Sequence, residues 1–159
     1  MNKFRVGFGY DVHQLVPGRD FFIGGVSINY HKGALGHSDA DVLLHALADA
    51  LLGAAGLGDI GTHFPDTDQK FKNADSKLFL KEVYNKLREK GFQINNVDTT
   101  VVLQEPKIKD HISEMKSVIA SILDMEIDDV SVKATTTEHM GYIGNNEGLA
   151  AFAIVSITS

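Results

Sequence analysis

The chain has no cysteine and no tryptophan, only 3 prolines in 159 residues, and no block of basic charge. Without cysteine there is neither a disulfide nor a thiolate metal site, so a bound zinc would have only imidazole and carboxylate to hold it. Lys and Arg number 15 against 21 Asp and Glu, a formal net charge of -6 with the two signs mixed along the chain. Nucleic acid is therefore not an expected partner. A phosphate-bearing ligand would have to be met by metal ions or helix N-termini instead. No apolar run approaches the roughly 18 residues of a membrane span, and no signal peptide is expected ahead of Phe4-Arg5-Val6-Gly7. The expectation is a cytoplasmic protein without a membrane partner, or a plastid one whose transit peptide has been removed.

What is present is 43% hydrophobic residues in one domain spanning residues 1–159, without repeats or low-complexity segments. The most informative stretch runs from His37 to Asp68. Its first half reads as a helix that is apolar almost all round, hence buried, running from a Ser38 cap to Gly53–Gly56, with Asp41 completing a capping box. One polar row crosses it. Ser38, Asp41, His45 and Asp49 follow at spacings of three, four and four, which places neighbours about 5–6 Å apart on one face. Buried polar groups need partners, so this row has to meet a hydrogen-bonding network, a metal or a substrate.

Before that helix, residues 4–13 read as a strand in which Gly7 and Gly9 mark a close backbone approach or a bulge, with Asp11 and His13 on a shared face. Two short strands about Gly24-Gly25 follow, and His31-Lys32-Gly33 reads as a loop. Gly56 to Asp68 is expected to be irregular. Further on come a helix from Asp75 or Ser76 to Lys90, a strand through Val97–Leu103 and a helix over Lys109–Leu123. The chain closes with a strand over Val130–Thr137, a glycine-rich turn over Gly141–Gly148, and a near-continuous apolar strand over Leu149–Thr158 that suits burial on both sides. Mixed strands and helices without strict alternation predict an α+β fold, a mixed sheet with helices on one face. The other face is left for a partner subunit.

Asp11-x-His13 with His45 offers one carboxylate and two imidazoles. That set suits zinc or another divalent transition metal and leaves a fourth position for water or substrate. A lone buried histidine is more often a hydrogen-bonded core residue; the polar row raises the odds of a ligand. Asp49 or a backbone carbonyl is the expected partner of the second imidazole nitrogen. Thr135-Thr136-Thr137-Glu138 offers hydroxyls and a carboxylate fit for phosphate and a hard cation, or else is a β-branched strand end with an incidental acid. Asp66-Thr67-Asp68 reads as an acidic turn.

Taken in order, GYDVHQL (9–15), GHSDADVLLHALADALLGAAGLGDIG (36–61), HFPDTD (63–68), NVDTTVVLQEPKI (96–108) and KATTTEHMGYIG (133–144) strongly resemble the 2-C-methyl-D-erythritol 2,4-cyclodiphosphate synthase family. The resemblance covers essentially the whole chain. It implies that Asp11, His13 and His45 hold zinc, and that His37 and Ser38 meet substrate phosphates. It also implies that Asp59, Ile60, Gly61, Phe64 and Asp66 hold the methylerythritol part, with Asp49 as a supporting acid. Pro106, Lys107, Ile108, Ala134 and Thr135 match a cytidine pocket. Thr136 and Glu138 match a diphosphate site with magnesium or manganese, flanked by His139 and Tyr142. His37, Thr136 and Glu138 stand where the family's catalytic groups do.

The family is homotrimeric, each site shared by two subunits, which implies that the open sheet face packs in the trimer core. The implied reaction turns 4-diphosphocytidyl-2-C-methyl-D-erythritol 2-phosphate into 2-C-methyl-D-erythritol 2,4-cyclodiphosphate and CMP. Two residues depart from the pattern. Asn145 stands where Lys or Arg is common facing the trimer cavity, so that cavity is expected to hold isoprenoid diphosphates weakly or not at all. His139 also stands where Lys or Arg is common, so a charge near the diphosphate is expected to depend on pH. Competing readings are a zinc phosphohydrolase and a non-enzymatic trimeric small-molecule-binding protein.

Overall fold

A computed structural model describes residues 3–159. Its frame is a 14-residue strand, β1 (Phe4–Pro17), laid against a 14-residue helix, α1 (Val42–Ala55). Glycine permits the contact. A Cβ on Gly7 would stand 1.9 Å from the Ala50 carbonyl oxygen, and one on Gly9 1.9 Å from that of Ala46. The two glycines therefore mark a close approach and not a bulge; β1 pairs without interruption from Phe4 to Gln14 with the last strand, β7 (Gly148–Thr158).

Between these lie β2 (Phe22–Ile23), β3 (Val26–Ser27), β4 (Lys32–Leu35), α2 (Ile60–His63) and α3 (Ser76–Glu89). Then come β5 (Gln93–Val102), α4 (Ile112–Leu123), β6 (Val130–Thr135) and α5 (Gly141–Gly144). The main sheet has the order β4-β1-β7-β5-β6, with β5 and β6 parallel and all other pairs antiparallel; β2 and β3 form a separate hairpin. The fold is α+β. Helix α1 packs on β1 and β7, α4 on β6, and α3 against both helices.

Strand alternation separates the two sheet faces. In β1 the residues Gly7, Gly9 and Leu15 turn to the helices and are buried, while Phe4, Val6, Phe8, Tyr10 and Val12 turn away. With Phe152 and Ile154 of β7 they make an apolar surface on which side chains are 38–65% exposed. The near-continuous apolar run of β7 is thus buried on its helix side and open on the other at Phe152 and Ile154.

The start of α1 differs from the expected one. Ala40 has φ 57, which bends the chain out of a helical path, and the N-cap is Asp41, not Ser38. The Asp41 carboxylate accepts from the Leu44 N–H at 3.0 Å and from the Gly24 and Gly25 N–H groups at 2.9 and 2.7 Å. It is a buried structural tie between α1 and the β2–β3 hairpin. Burial raises its carboxyl pKa, partly offset by those donors. The polar row that remains on α1 is His45 and Asp49, half-buried on a helix otherwise buried along its length except at Gly53. Residues 32–35, expected to end a loop, pair with β1 as β4, and the predicted irregular segment holds the single turn α2.

Candidate active site

Strand β1 and helix α1 bring Asp11, His13 and His45 together, their ligand atoms all within 4.8 Å of one another. His13 Nε2 lies 2.9 Å and His45 Nδ1 3.2 Å from Asp11 Oδ2, and the two imidazole nitrogens are 3.3 Å apart. Each ring is oriented from behind. His13 Nδ1 faces the Leu35 carbonyl at 2.9 Å, and His45 Nε2 faces the Ser76 hydroxyl at 2.7 Å. One expected backbone carbonyl is therefore present, whereas Asp49 plays no part: its carboxylate accepts the Ile60 N–H at 3.0 Å and anchors the turn at α2. Burial pushes the Asp11 carboxyl up, but hydrogen bonds from His13 and His45 outweigh it and hold the pKa at about 2. Burial likewise opposes the charged form of His13, and the Asp11 bond and charge overcome it, raising its pKa above 6.5.

This cluster lines a cleft of about 610 Å³ whose other walls include His37, Ser38, Ile60, Gly61, Phe64 and Asp66. Its apolar side is an aromatic group: Phe64 stacks on Phe79 with centroids 4.7 Å apart, and Phe71 meets both edge-on at 5.5 Å. Asp59 is exposed and caps α2 through the Thr62 N–H at 2.8 Å. The arrangement fits a divalent metal. One carboxylate oxygen and two imidazole nitrogens converge, both rings have a partner on their far nitrogen, and no fourth His or acid joins the cluster among the described residues.

A second groove, about 190 Å³, gathers Pro106, Lys107, Ile108, Ala134, Thr135 and Thr136 at the ends of β5 and β6. It shares no lining residue with the first. Beyond it Glu138 and His139 adopt φ 51 and 62, held by the Glu138 N–H on Thr136 Oγ1 at 3.2 Å and the His139 N–H on Gln104 Oε1 at 3.0 Å. Glu138, His139 and Tyr142 line neither cavity. Tyr142 is bonded to Tyr10 towards the open sheet face, and burial followed by that bond raises its pKa.

A 2-C-methyl-D-erythritol 2,4-cyclodiphosphate synthase from Alkaliphilus oremlandii is 58% identical over 153 residues, covering 96% of this chain and 98% of that one. The YgbB family matches residues 4–158. The chain belongs to this family of cyclodiphosphate synthases. Among solved structures, the bifunctional IspDF from Campylobacter jejuni superposes with a TM-score of 0.96 at 48% identity, over 99% of this chain and 43% of that one. This chain thus spans less than half of that bifunctional polypeptide. A CDP complex of IspF from Plasmodium falciparum superposes with a TM-score of 0.87 at 34% identity, covering 99% and 97%.

For this synthase-family chain the sequence motifs gathered most of both cavities. They left out Phe71 and Phe79 in the cleft wall and Ser76 behind His45, and they held Gln104 and Asp39 without showing that these stand behind His139 and Ser76. Among these Phe79 carried a signal as an apolar position of α3 and Ser76 one as a possible start of that helix, and neither signal showed what the side chain faced. No helix among the described residues is long and apolar enough to cross a membrane.

Proposed function

We propose that the chain converts 4-diphosphocytidyl-2-C-methyl-D-erythritol 2-phosphate to 2-C-methyl-D-erythritol 2,4-cyclodiphosphate and CMP. The observation that carries this reading is the open cluster of Asp11, His13 and His45 in a cleft, in a chain that matches synthases along its whole length. In the reaction an oxygen of the substrate's 2-phosphate forms a bond to the β-phosphorus, and the bond from that phosphorus to the bridging oxygen breaks, releasing CMP. No protein nucleophile is needed. Positioning and charge neutralisation carry the rate.

Each group of residues then has a task. Asp11, His13 and His45 hold zinc or a related divalent ion, which when bound supplies Lewis-acid polarisation of a phosphoryl oxygen. His37 and Ser38 bind phosphate oxygens beside the cluster, while the turn from Asp59 to Gly61, with Phe64 and Asp66, orients the methylerythritol. The groove of Pro106–Ile108, Ala134 and Thr135 takes the cytidine. Thr136 and Glu138, flanked by His139 and Tyr142, face the diphosphate, and the Glu138 carboxylate is the ligand offered to magnesium or manganese. Because the two cavities share no wall, we assign them to neighbouring subunits of a homotrimer, whose core buries the apolar face of β1 and β7.

Phosphorus NMR of the protein with this substrate, zinc and magnesium tests the reading. Metal-dependent appearance of CMP and a cyclic diphosphate, lost in His45→Ala, is expected. Inorganic phosphate in their place would establish a phosphohydrolase, and no turnover by the metal-loaded trimer would leave a binding protein.

A further inference from the structure

The second nitrogen of His45 is served by Ser76 and Asp39, neither of which lines the cleft. Ser76 begins α3 and is fully buried, with its hydroxyl 2.7 Å from His45 Nε2. The same hydroxyl meets Asp39 Oδ1 in a short contact, and Asp39 Oδ2 accepts the Ser76 N–H at 2.9 Å. Asp39 Oδ1 also accepts the Asp41 N–H at 3.1 Å, and the Asp39 N–H donates to the Ala74 carbonyl at 3.1 Å. The segments before α1 and before α3 are thereby tied through one carboxylate.

The direction of the protons follows from this inventory. An ionised carboxylate only accepts, and Asp39 already accepts two backbone N–H groups, so the Ser76 hydroxyl donates its hydrogen to Asp39. The Ser76 oxygen is left as an acceptor. His45 Nε2 must then carry the hydrogen that fills it, which leaves Nδ1, 3.2 Å from Asp11 and 3.3 Å from His13, as the nitrogen offered to a metal. Ser38 Oγ also lies 3.2 Å from Nε2, but it accepts the Ala40 N–H and forms part of the cleft wall, whereas Ser76 does not line the cleft.

We infer that Ser76 and Asp39 are positioning residues for the metal cluster: a buried Asp39–Ser76–His45 relay, reaching across from the start of α3, holds His45 in its metal-binding tautomer and orientation. The inference rests on the metal reading of Asp11, His13 and His45. It adds that α3, which supplies no ligand, sets the geometry of the ligand on α1. Outer partners of this type commonly set metal affinity over about 10–100-fold.

Two measurements test it. In full-length zinc-loaded protein, long-range proton–nitrogen correlation should show the His45 hydrogen on Nε2; a hydrogen on Nδ1 overturns the relay. Cobalt titration, read by visible absorption, should then show Ser76→Ala binding about 10–100-fold more weakly than wild type, with Ser38→Ala losing distinctly less. Equal binding by Ser76→Ala and wild type, or equal losses in both serine variants, refutes the relay and leaves the metal site standing. Failure of the wild type to bind cobalt refutes the metal reading itself, and the relay with it. If Ser76→Ala does not fold, the wild-type tautomer decides.

Discussion

Asp41 and Asp49 sit two helical turns apart near and on α1, and their surroundings give them different tasks. Asp41 is buried and accepts three backbone N–H groups. Asp41→Ala strands those donors and is expected to cost about 3 kcal/mol or more in urea unfolding. Asp49 is half-buried and accepts only the Ile60 N–H. Asp49→Ala should cost about 1 kcal/mol but loosen the turn at Asp59–Gly61, so steady-state kinetics should show KM rising by more than kcat falls. A stability loss in Asp49→Ala equal to that of Asp41→Ala would contradict this division.

The metal ligands also carry a pH dependence with a defined sign. In the metal-free chain the pKa of His13 is raised, so its pair with Asp11 stabilises the fold fully below the ordinary value of 6.5 and loses that contribution as pH rises through the raised one. Asp11, held at about 2, keeps its charge and its contribution above 3.8 and loses them only as pH falls through 2. Metal binding requires the proton to leave His13, so it runs the opposite way. The rise in Tm produced by added zinc should grow between about pH 6 and about pH 8; a constant rise over that range would contradict it. The clustering of the three candidate ligands was legible in the sequence because a strand puts Asp11 and His13 on one face and the helix offered His45 as a polar break in an apolar surface. Ser76 and Asp39 were not, because only tertiary folding brings together residues 37 positions apart.

Among the elements, the contact of β1 with α1 determines where the ligands stand. Gly7 and Gly9 let the strand approach until only backbone separates the two, and Asp11 and His13 continue the same face towards His45. Gly9→Ala would drive a methyl group into the Ala46 carbonyl and is expected to destabilise the fold by about 3 kcal/mol and to weaken metal binding as well. Calorimetry of the variant showing an unchanged Tm would refute the close approach. The sequence showed this approach through glycines in an otherwise β-branched strand. It misplaced the start of α1 because Ser38-x-x-Asp41 imitates a capping box, and only the left-handed Ala40 breaks the helical path. Strand β4 escaped notice because Lys32–Leu35 carries little β preference and is fixed by pairing with β1. The turns α2 and α5 begin or end among glycines, which hide so short a helix.

At the scale of the molecule, the open face of the sheet and the separation of the two cavities point the same way. An apolar surface built from Phe4, Val6, Phe8, Tyr10, Phe152 and Ile154 calls for a covering partner. The cleft beside Asp11, His13 and His45 and the groove at the ends of β5 and β6 have no lining residue in common, so a site between subunits would use one half from each of two neighbours. The helix-covered side of this architecture was readable from hydrophobic periodicity. The proposed assembly rests on resemblance, since alternation along β1 shows that a face is apolar and not what lies on it.

Coexpression of a His45→Ala chain, damaged in the metal half, with a Glu138→Gln chain, damaged in the diphosphate half, is the most direct test. In mixed trimers an interface that draws its metal half from the Glu138→Gln chain and its nucleotide half from the His45→Ala chain is intact, and equal random mixing should restore about a quarter of wild-type cyclodiphosphate formation. Activity no greater than the sum of the two variants measured separately would contradict the account.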